Sequence, residues 1–339
     1  MRTFSISAQV LGIAAVASLG ITGCSGSSAL RPMPGAPLAP AGNPAVPASI
    51  TARQPVANNA KRAKPLLYVA GFSAQAVFVY AQSAKSPASP LYKITNGISD
   101  PNGLATDTSG NLYVTNELSN AVTIYAPGSQ SPTETITTGV NIPFAVAVDS
   151  VGDLFVANDP AGQSPYINEY LDGQTYPTYT WYPPQSNSTI TGLALMNPGQ
   201  SGGTIEAAYY TFDQYGNPHG DLMQCYHGNS SCSNDGYSFG RTGGITMASS
   251  QPLDILVADL SAPGIWNLNA SSTKLFSTSY DPWFMAFNPK HTDLFVTDGG
   301  MTTTEYTYPR MKAKKTFVAS GGYEGPFVTG VATSPSGAF

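Results

Sequence analysis

The stretch GLATDTSGNLYVTNELSNAVTIYA, residues 103 to 126, decides the fold. It holds a short apolar run, a turn of Asp, Ser, Gly and Asn, a second apolar run, another polar turn and a third run ending in Tyr125. Runs of about five β-branched and aromatic residues bounded by turn formers predict antiparallel strands, not helices.

The pattern recurs along the chain. The middle run returns as LLYVAG (66–71), LYVTN (112–116), LFVAN (154–158), IEAAY (205–209), ILVAD (255–259) and LFVTD (294–298). Another apolar run and a polar turn precede each of the last five, in 102–111, 144–153, 191–203, 244–253 and 284–293, and the sixth such partner, TGVATSPSGAF, ends the chain. A third run follows each pair, and Tyr80, Tyr125 and Tyr170 fall 45 residues apart. Weaker fourth runs stand at 90–94, 133–137, 178–182, 273–277 and 315–319. Four short strands repeated six times predict an all-β protein, a six-bladed β-propeller with four-stranded antiparallel blades. The propeller would begin on a second-type run and stop on a first-type run. Both termini are therefore expected to complete one blade, which leaves no open edge at the seam. A solenoid or a two-sheet sandwich does not explain that complementary deficit.

The 103–126 segment resembles an NHL-type repeat, and the resemblance extends weakly over 66–339. The wider superfamily of regucalcin, gluconolactonase and streptogramin lyase shares the six-bladed or a related form. In the regucalcin-like enzymes, metal ligands come from Asn or Asp at the start of first strands, with an early Glu. Asn102 matches that pattern. The equivalent positions here are Phe144, Thr191, Gly243, Trp283 and Thr329, and no Glu precedes Glu117. This departure puts lactonase chemistry in doubt, and a shared fold does not carry function.

Composition narrows the choice of partner. With 15 Lys/Arg against 20 Asp/Glu, the 339-residue chain has few charges, while 34 Gly and 28 Pro suit a turn-rich β protein. The 147 residues between Lys93 and Arg241 hold no basic side chain and 13 acidic ones. Such a body repels a phosphate backbone, so no nucleic-acid partner is expected.

The N-terminus reads as an address. Arg2, an apolar segment from Ile6 to Ile21, and Ile21-Thr22-Gly23-Cys24 resemble a bacterial lipobox. The resemblance implies a signal peptide over 1–23 and a lipidated Cys24. Two or three acyl chains would anchor the mature protein to a membrane without spanning it. Ser25, by the enterobacterial sorting rule, implies the outer membrane of a bacterial cell envelope. Residues 24–64 carry the Cys and a tether that has ten Ala and seven Pro after it, with no hydrophobic periodicity. As a flexible coil the tether would span roughly 35 Å. Arg53, Lys61, Arg62 and Lys64 at its far end would either touch anionic headgroups or simply be solvated. The propeller is assigned to 65–339, as a monomer.

Cys225 and Cys232 then remain. In an exported chain they are expected to pair, closing an eight-residue loop. A metal site with His219 and His227 is the alternative, although the spacing lacks the regularity of a zinc site.

Chain direction places the starts of first strands and the ends of second strands on one face around the axis. The candidate ligand face holds Asn102, Asn116, Phe144, Asn158, Asp259, Trp283 and Asp298. Converging Asx groups would hold Ca²⁺ or another divalent cation through oxygen. Alternatively each caps its own turn, the ordinary role of Asx side chains; no cofactor is assigned. The chain has no G-x-S-x-G elbow, and only His219, His227 and His291 supply imidazole. No catalytic residue is assigned, and binding is the preferred reading over catalysis. Aromatic clusters at Tyr176, Tyr179, Trp181 and Tyr182, and at Tyr209, Tyr210, Phe212 and Tyr215, offer flat apolar area with polar edges. They suit a protein, peptide or glycan ligand, or simply pack the blades. A divergent metal-assisted lactonase or lyase using the same face is the alternative function.

Overall fold

The computed structural model describes residues 65–196, 204–248, 254–268, 273–278, 280–319 and 328–334. Cys24, the signal segment, the tether and the two polar turns read at 197–203 and 249–253 lie outside the described residues.

Twenty-four strands form six four-stranded sheets, all antiparallel. Blade 1 is β24-β1-β2-β3, made of Val328–Thr333, Leu66–Gly71, Ala76–Ala81 and Tyr92–Ile94. Blades 2 to 6 follow in chain order, four strands each: β4–β7 within Pro101–Ile136, β8–β11 within Pro143–Trp181, β12–β15 within Ser188–Asn234, β16–β19 within Thr242–Ser277 and β20–β23 within Pro282–Val318. The expected closure is present: Leu67 pairs with Thr333 and Val69 with Val331 in one sheet. Ser334 clasps the seam, its Oγ accepting from the Leu66 amide at 2.8 Å while its own amide donates to the Leu66 carbonyl at 2.9 Å.

Six inner strands, β24, β4 (Pro101–Thr106), β8 (Pro143–Val148), β12 (Ser188–Met196), β16 (Thr242–Ala248) and β20 (Pro282–Phe287), surround the axis. Each neighbours the next, so their backbones crowd. A Cβ on Gly103 would lie 2.8 Å from the Phe144 carbonyl, and one on Gly192 would lie 2.7 Å from the Ile245 amide. Glycine at these positions lets adjacent inner strands approach. Every inner strand is also bulged near its start, for example between Pro101 and Leu104 and between Pro282 and Met285. Threonine hydroxyls fill the bulges: Thr115 Oγ1 accepts from the Gly103 amide at 2.7 Å, and Thr297 Oγ1 donates to the Thr329 carbonyl of the next blade at 2.7 Å.

Second strands such as β5 (Leu112–Asn116) and β9 (Leu154–Asn158) are buried at every position. Each sheet is covered on both faces by its neighbours, which is why these strands read as continuous apolar runs and not as alternations. The core therefore lies between blades. Three residues before the end of each second strand stand Tyr68, Tyr113, Phe155, Leu256 and Phe295, none more than 2% exposed. Blade 4 has a longer second strand (β13, Thr204–Phe212), in which Glu206, opposite Ala194 as Tyr113 is opposite Ala105, takes the equivalent place at 0% exposure.

The expected fourth runs are real but mostly shorter: Glu134–Ile136 and Tyr179–Trp181 are three residues each. Blade 4, where the sequence showed no fourth run, has only Ser233–Asn234. Outer strands have one covered face at most and need little apolar sequence.

Candidate functional site

Inner strands start and second strands end on what we term the upper face. At second-strand ends the Asx side chains are engaged in hydrogen bonds. Asn116 Oδ1 accepts from the Ser99 amide at 2.9 Å while its Nδ2 donates to Val114 O and Thr123 Oγ1. Asn158 does the same with the Asn141 amide at 2.8 Å and with Val156 O. Asp259 Oδ1 accepts from the amides of Ser261 and Ala262. Asp298 accepts from the Thr302 amide at 3.1 Å and from the Thr302 hydroxyl. Asp259 and Asp298 cap their own turns, whereas Asn116 and Asn158 each tie down the loop that enters the first strand of their own blade. No group of three or more His, Cys, Asp or Glu side chains converges as a metal site among the described residues.

The aromatic members of the face do converge. Phe144 of blade 3 and Trp283 of blade 6, on opposite sides of the ring, meet at 6.4 Å between centroids, and Phe284 lies 5.8 Å from Phe144. Together they stop the upper end of the channel. The contact continues outward through a residue that sequence reasoning passed over. The Arg241 guanidinium carbon sits 5.4 Å from the Trp283 ring centre and 4.9 Å from that of Tyr210, and Tyr210 meets Phe212 edge-on at 5.4 Å. A strip of rings interrupted by one guanidinium thus runs from the rim of blade 4 to the axis. Phe212 at its outer end is 50% exposed. Arg241 is held at its backbone by Leu260 N, and its Nη2 donates to the Tyr210 hydroxyl at 3.3 Å.

The other flank of the mouth is acidic. Asn102 Nδ2 donates to Glu117 Oε2 at 2.6 Å. Burial pushes the Glu117 carboxyl above its ordinary range, against the Asn102 bond, and the negative charges of Asp100 and Asp159 push it further. Burial likewise raises Asp159.

At the lower end the inner strands enclose a cavity of about 360 Å³, walled by Val146, Leu193, Met247, Met285 and Phe287 among others. His291, a turn residue at φ 54° as its sequence context implies, also lines this cavity and stacks on Phe287 at 5.2 Å. Burial holds its imidazole below the usual range.

Cys225 and Cys232 form a disulfide, with Cα atoms 4.3 Å apart. Neither neighbouring His points to a cation site: His227 Nε2 meets Glu169 Oε1 at 3.0 Å, and His219 faces Asp213 at 3.4 Å. Of the sequence's aromatic clusters, Trp181 and Tyr209 are core residues, whereas Tyr176 and Tyr215 are exposed.

These features define a six-bladed β-propeller whose channel is stopped by aromatic side chains at one end and hollow at the other. No protein-family model matches the chain, and no curated protein matches it. Among solved structures, the chain is similar to Kuenenia stuttgartiensis hydrazine synthase, with a TM-score of 0.50 and 14% identity over 80% of this chain and 87% of that one. It is also similar to a protein of unknown function from Bacteroides caccae, with a TM-score of 0.53 and 11% identity over 80% of this chain and 99% of that one. At these identities the likeness establishes the fold alone.

Proposed function

We propose that this is a lipid-anchored propeller of the bacterial cell envelope that acts as a binding module through its upper face. The observation that carries the reading is the continuous strip from Phe212 through Tyr210, Arg241 and Trp283 to Phe144. Planar rings give contact area at low entropic cost, and a polar group set among them fixes orientation. The Asx side chains support binding over metal-assisted hydrolysis because their oxygens already accept from backbone amides of the loops. A disulfide is consistent with an oxidising compartment outside the cytoplasm. The lipobox at Ile21–Cys24 supports the anchor.

Two measurements test this. In Triton X-114 partition the full chain should enter the detergent phase and Cys24→Ser the aqueous phase; a native chain in the aqueous phase refutes the anchor. Treatment with a chelator should leave the melting temperature unchanged, with no turnover across a lactone panel. A chelator-sensitive melting temperature together with turnover would replace the binding module by a metal-assisted lactonase or lyase.

A further inference from the structure

Arg241 is the one basic residue between Lys93 and Lys274, and the fold carries it to the mouth of the channel. A guanidinium does not deprotonate in proteins, so the charge is permanent wherever the group sits. This one is half-buried between Tyr210 and Trp283. No carboxylate among the described residues pairs with it, and its Nε has no hydrogen-bond acceptor. Its partners are two ring faces and one phenol oxygen. Ring faces attract a cation by about 0.5–2 kcal/mol, which falls short of the solvation a half-buried charge gives up. Two buried carboxyls elsewhere do have basic partners: Glu305 has Lys314 at 2.6 Å and Lys315 at 3.1 Å, and Glu169 has His227 Nε2 at 3.0 Å.

We propose that Arg241 is the anchor for a carboxylate carried on a ring with an apolar face, the ring lying against Trp283, Phe144 and Tyr210. The planar fork of a guanidinium matches a carboxylate in a way that a lone ammonium does not. The carboxyl groups of this face, Glu117 and Asp159, follow the second strands of blades 2 and 3, whereas Arg241 precedes the inner strand of blade 5, so the ligand's charged end is drawn toward blade 5. Two kinds of molecule share this chemistry, a uronate sugar and an aromatic carboxylate. The inference rests on the reading of the upper face as the binding surface.

The test uses calorimetric titration of the detergent-solubilised full chain with two pairs of probes, galacturonate against galactose and benzoate against benzamide. At least one carboxylate should bind tenfold or more tighter than its neutral counterpart. Arg241→Gln should bring that ratio to about one, and Arg241→Lys should restore only part of it. A ratio in the first pair alone identifies the sugar acid; a ratio in the second alone identifies the aromatic acid. If Arg241 only staples blades 4 to 6 by stacking, Arg241→Gln lowers the melting temperature while the ratio persists, and the proposal falls. If charged and neutral probes bind alike, and Phe144→Ala weakens both, the anchor is refuted while the binding face stands. If a folded chain binds none of the four, the anchor is refuted and the binding face with it.

Discussion

Two seams on opposite sides of the ring solve the same problem in different ways. At the 6/1 seam, the loop between β2 and β3 lies along β23 (Lys312–Val318), with Ala88 N donating to Thr316 O at 3.1 Å and Val318 N to Ala88 O at 3.2 Å. At the 3/4 seam, the 225–232 loop lies along the outer edge of blade 3, with Tyr182 N donating to Ser230 O and Cys232 N to Tyr182 O, both at 2.9 Å. Each strap crosses a blade with a buried glutamate directly opposite an aromatic: Glu305 opposite Phe295 and Glu169 opposite Phe155. Glu305 is neutralised by two lysines of its own blade. Glu169 depends on an imidazole from the next blade, and its second oxygen has no hydrogen-bond partner. One seam thus uses permanent charge within a blade. The other uses a covalent loop to deliver an imidazole across the gap.

The strongest way to break this comparison is at the 6/1 seam. Replacing Lys314 and Lys315 together by Met leaves Glu305, which is 3% exposed, buried without a counter-ion. A loss of about 3–5 kcal/mol is expected in denaturant melts, since an uncompensated buried charge is costly. Adding Glu305→Gln should recover most of it.

At the 3/4 seam the corresponding cut is Cys225→Ser with Cys232→Ser. Closing an eight-residue loop constrains the unfolded chain by about 2.5 kcal/mol, and that is the expected loss. Tyr179, which stacks near His227 at 5.2 Å, should then gain solvent exposure in parallel with Glu169. If the melt shifts and Tyr179 stays protected, the loop is held by its backbone bonds and not by the crosslink.

A third seam sharpens the contrast. Glu206, between blades 4 and 5, has neither lysine nor imidazole; both its oxygens lack hydrogen-bond partners. Burial, with Asp235 beside it, raises its carboxyl to about 9. Between the unfolded value of 4.5 and about 9, the folded chain holds a proton the unfolded chain has released. Stability should therefore fall as pH rises through that window and be flat outside it. Glu206→Gln should flatten the slope and stabilise the protein by roughly 2 kcal/mol at pH 8. An unchanged slope would assign it to other carboxyls, Glu169 among them, which burial also raises.

Blade number, strand order and ring closure were all legible in the sequence because they are written in local runs at regular spacing. Register follows from the same runs, since Tyr80, Tyr125 and Tyr170 each sit at or next to the end of a third strand. The candidate face was legible only in part. Phe144 and Trp283 meet because blades 3 and 6 are opposite, a fact that the repeat count contains but a reading of individual strands does not. Arg241 had a signal, its isolation in a base-free stretch, but it lies outside every strand run. The docking of 225–232 on a neighbouring blade left no trace, since contacts between loops and adjacent outer strands follow no period. Asn116, Asn158, Asp259 and Asp298 carried the right chemistry for two roles, and only geometry distinguishes converging on a cation from holding loop amides, local for Asp259 and Asp298 and 17 residues away for Asn116 and Asn158.

The clasp between Leu66 and Ser334 bears on how the molecule is made. Those partners are 268 residues apart, and bringing such distant ends together costs about 5 kcal/mol of chain entropy before any contact forms. A ribosome delivers β1 long before β24, so blade 1 must wait as three strands with an unpaired edge until β24 emerges. The strand that locks the wheel thus emerges after every other strand of the six blades, and removing it would leave the sheet begun first with an exposed edge.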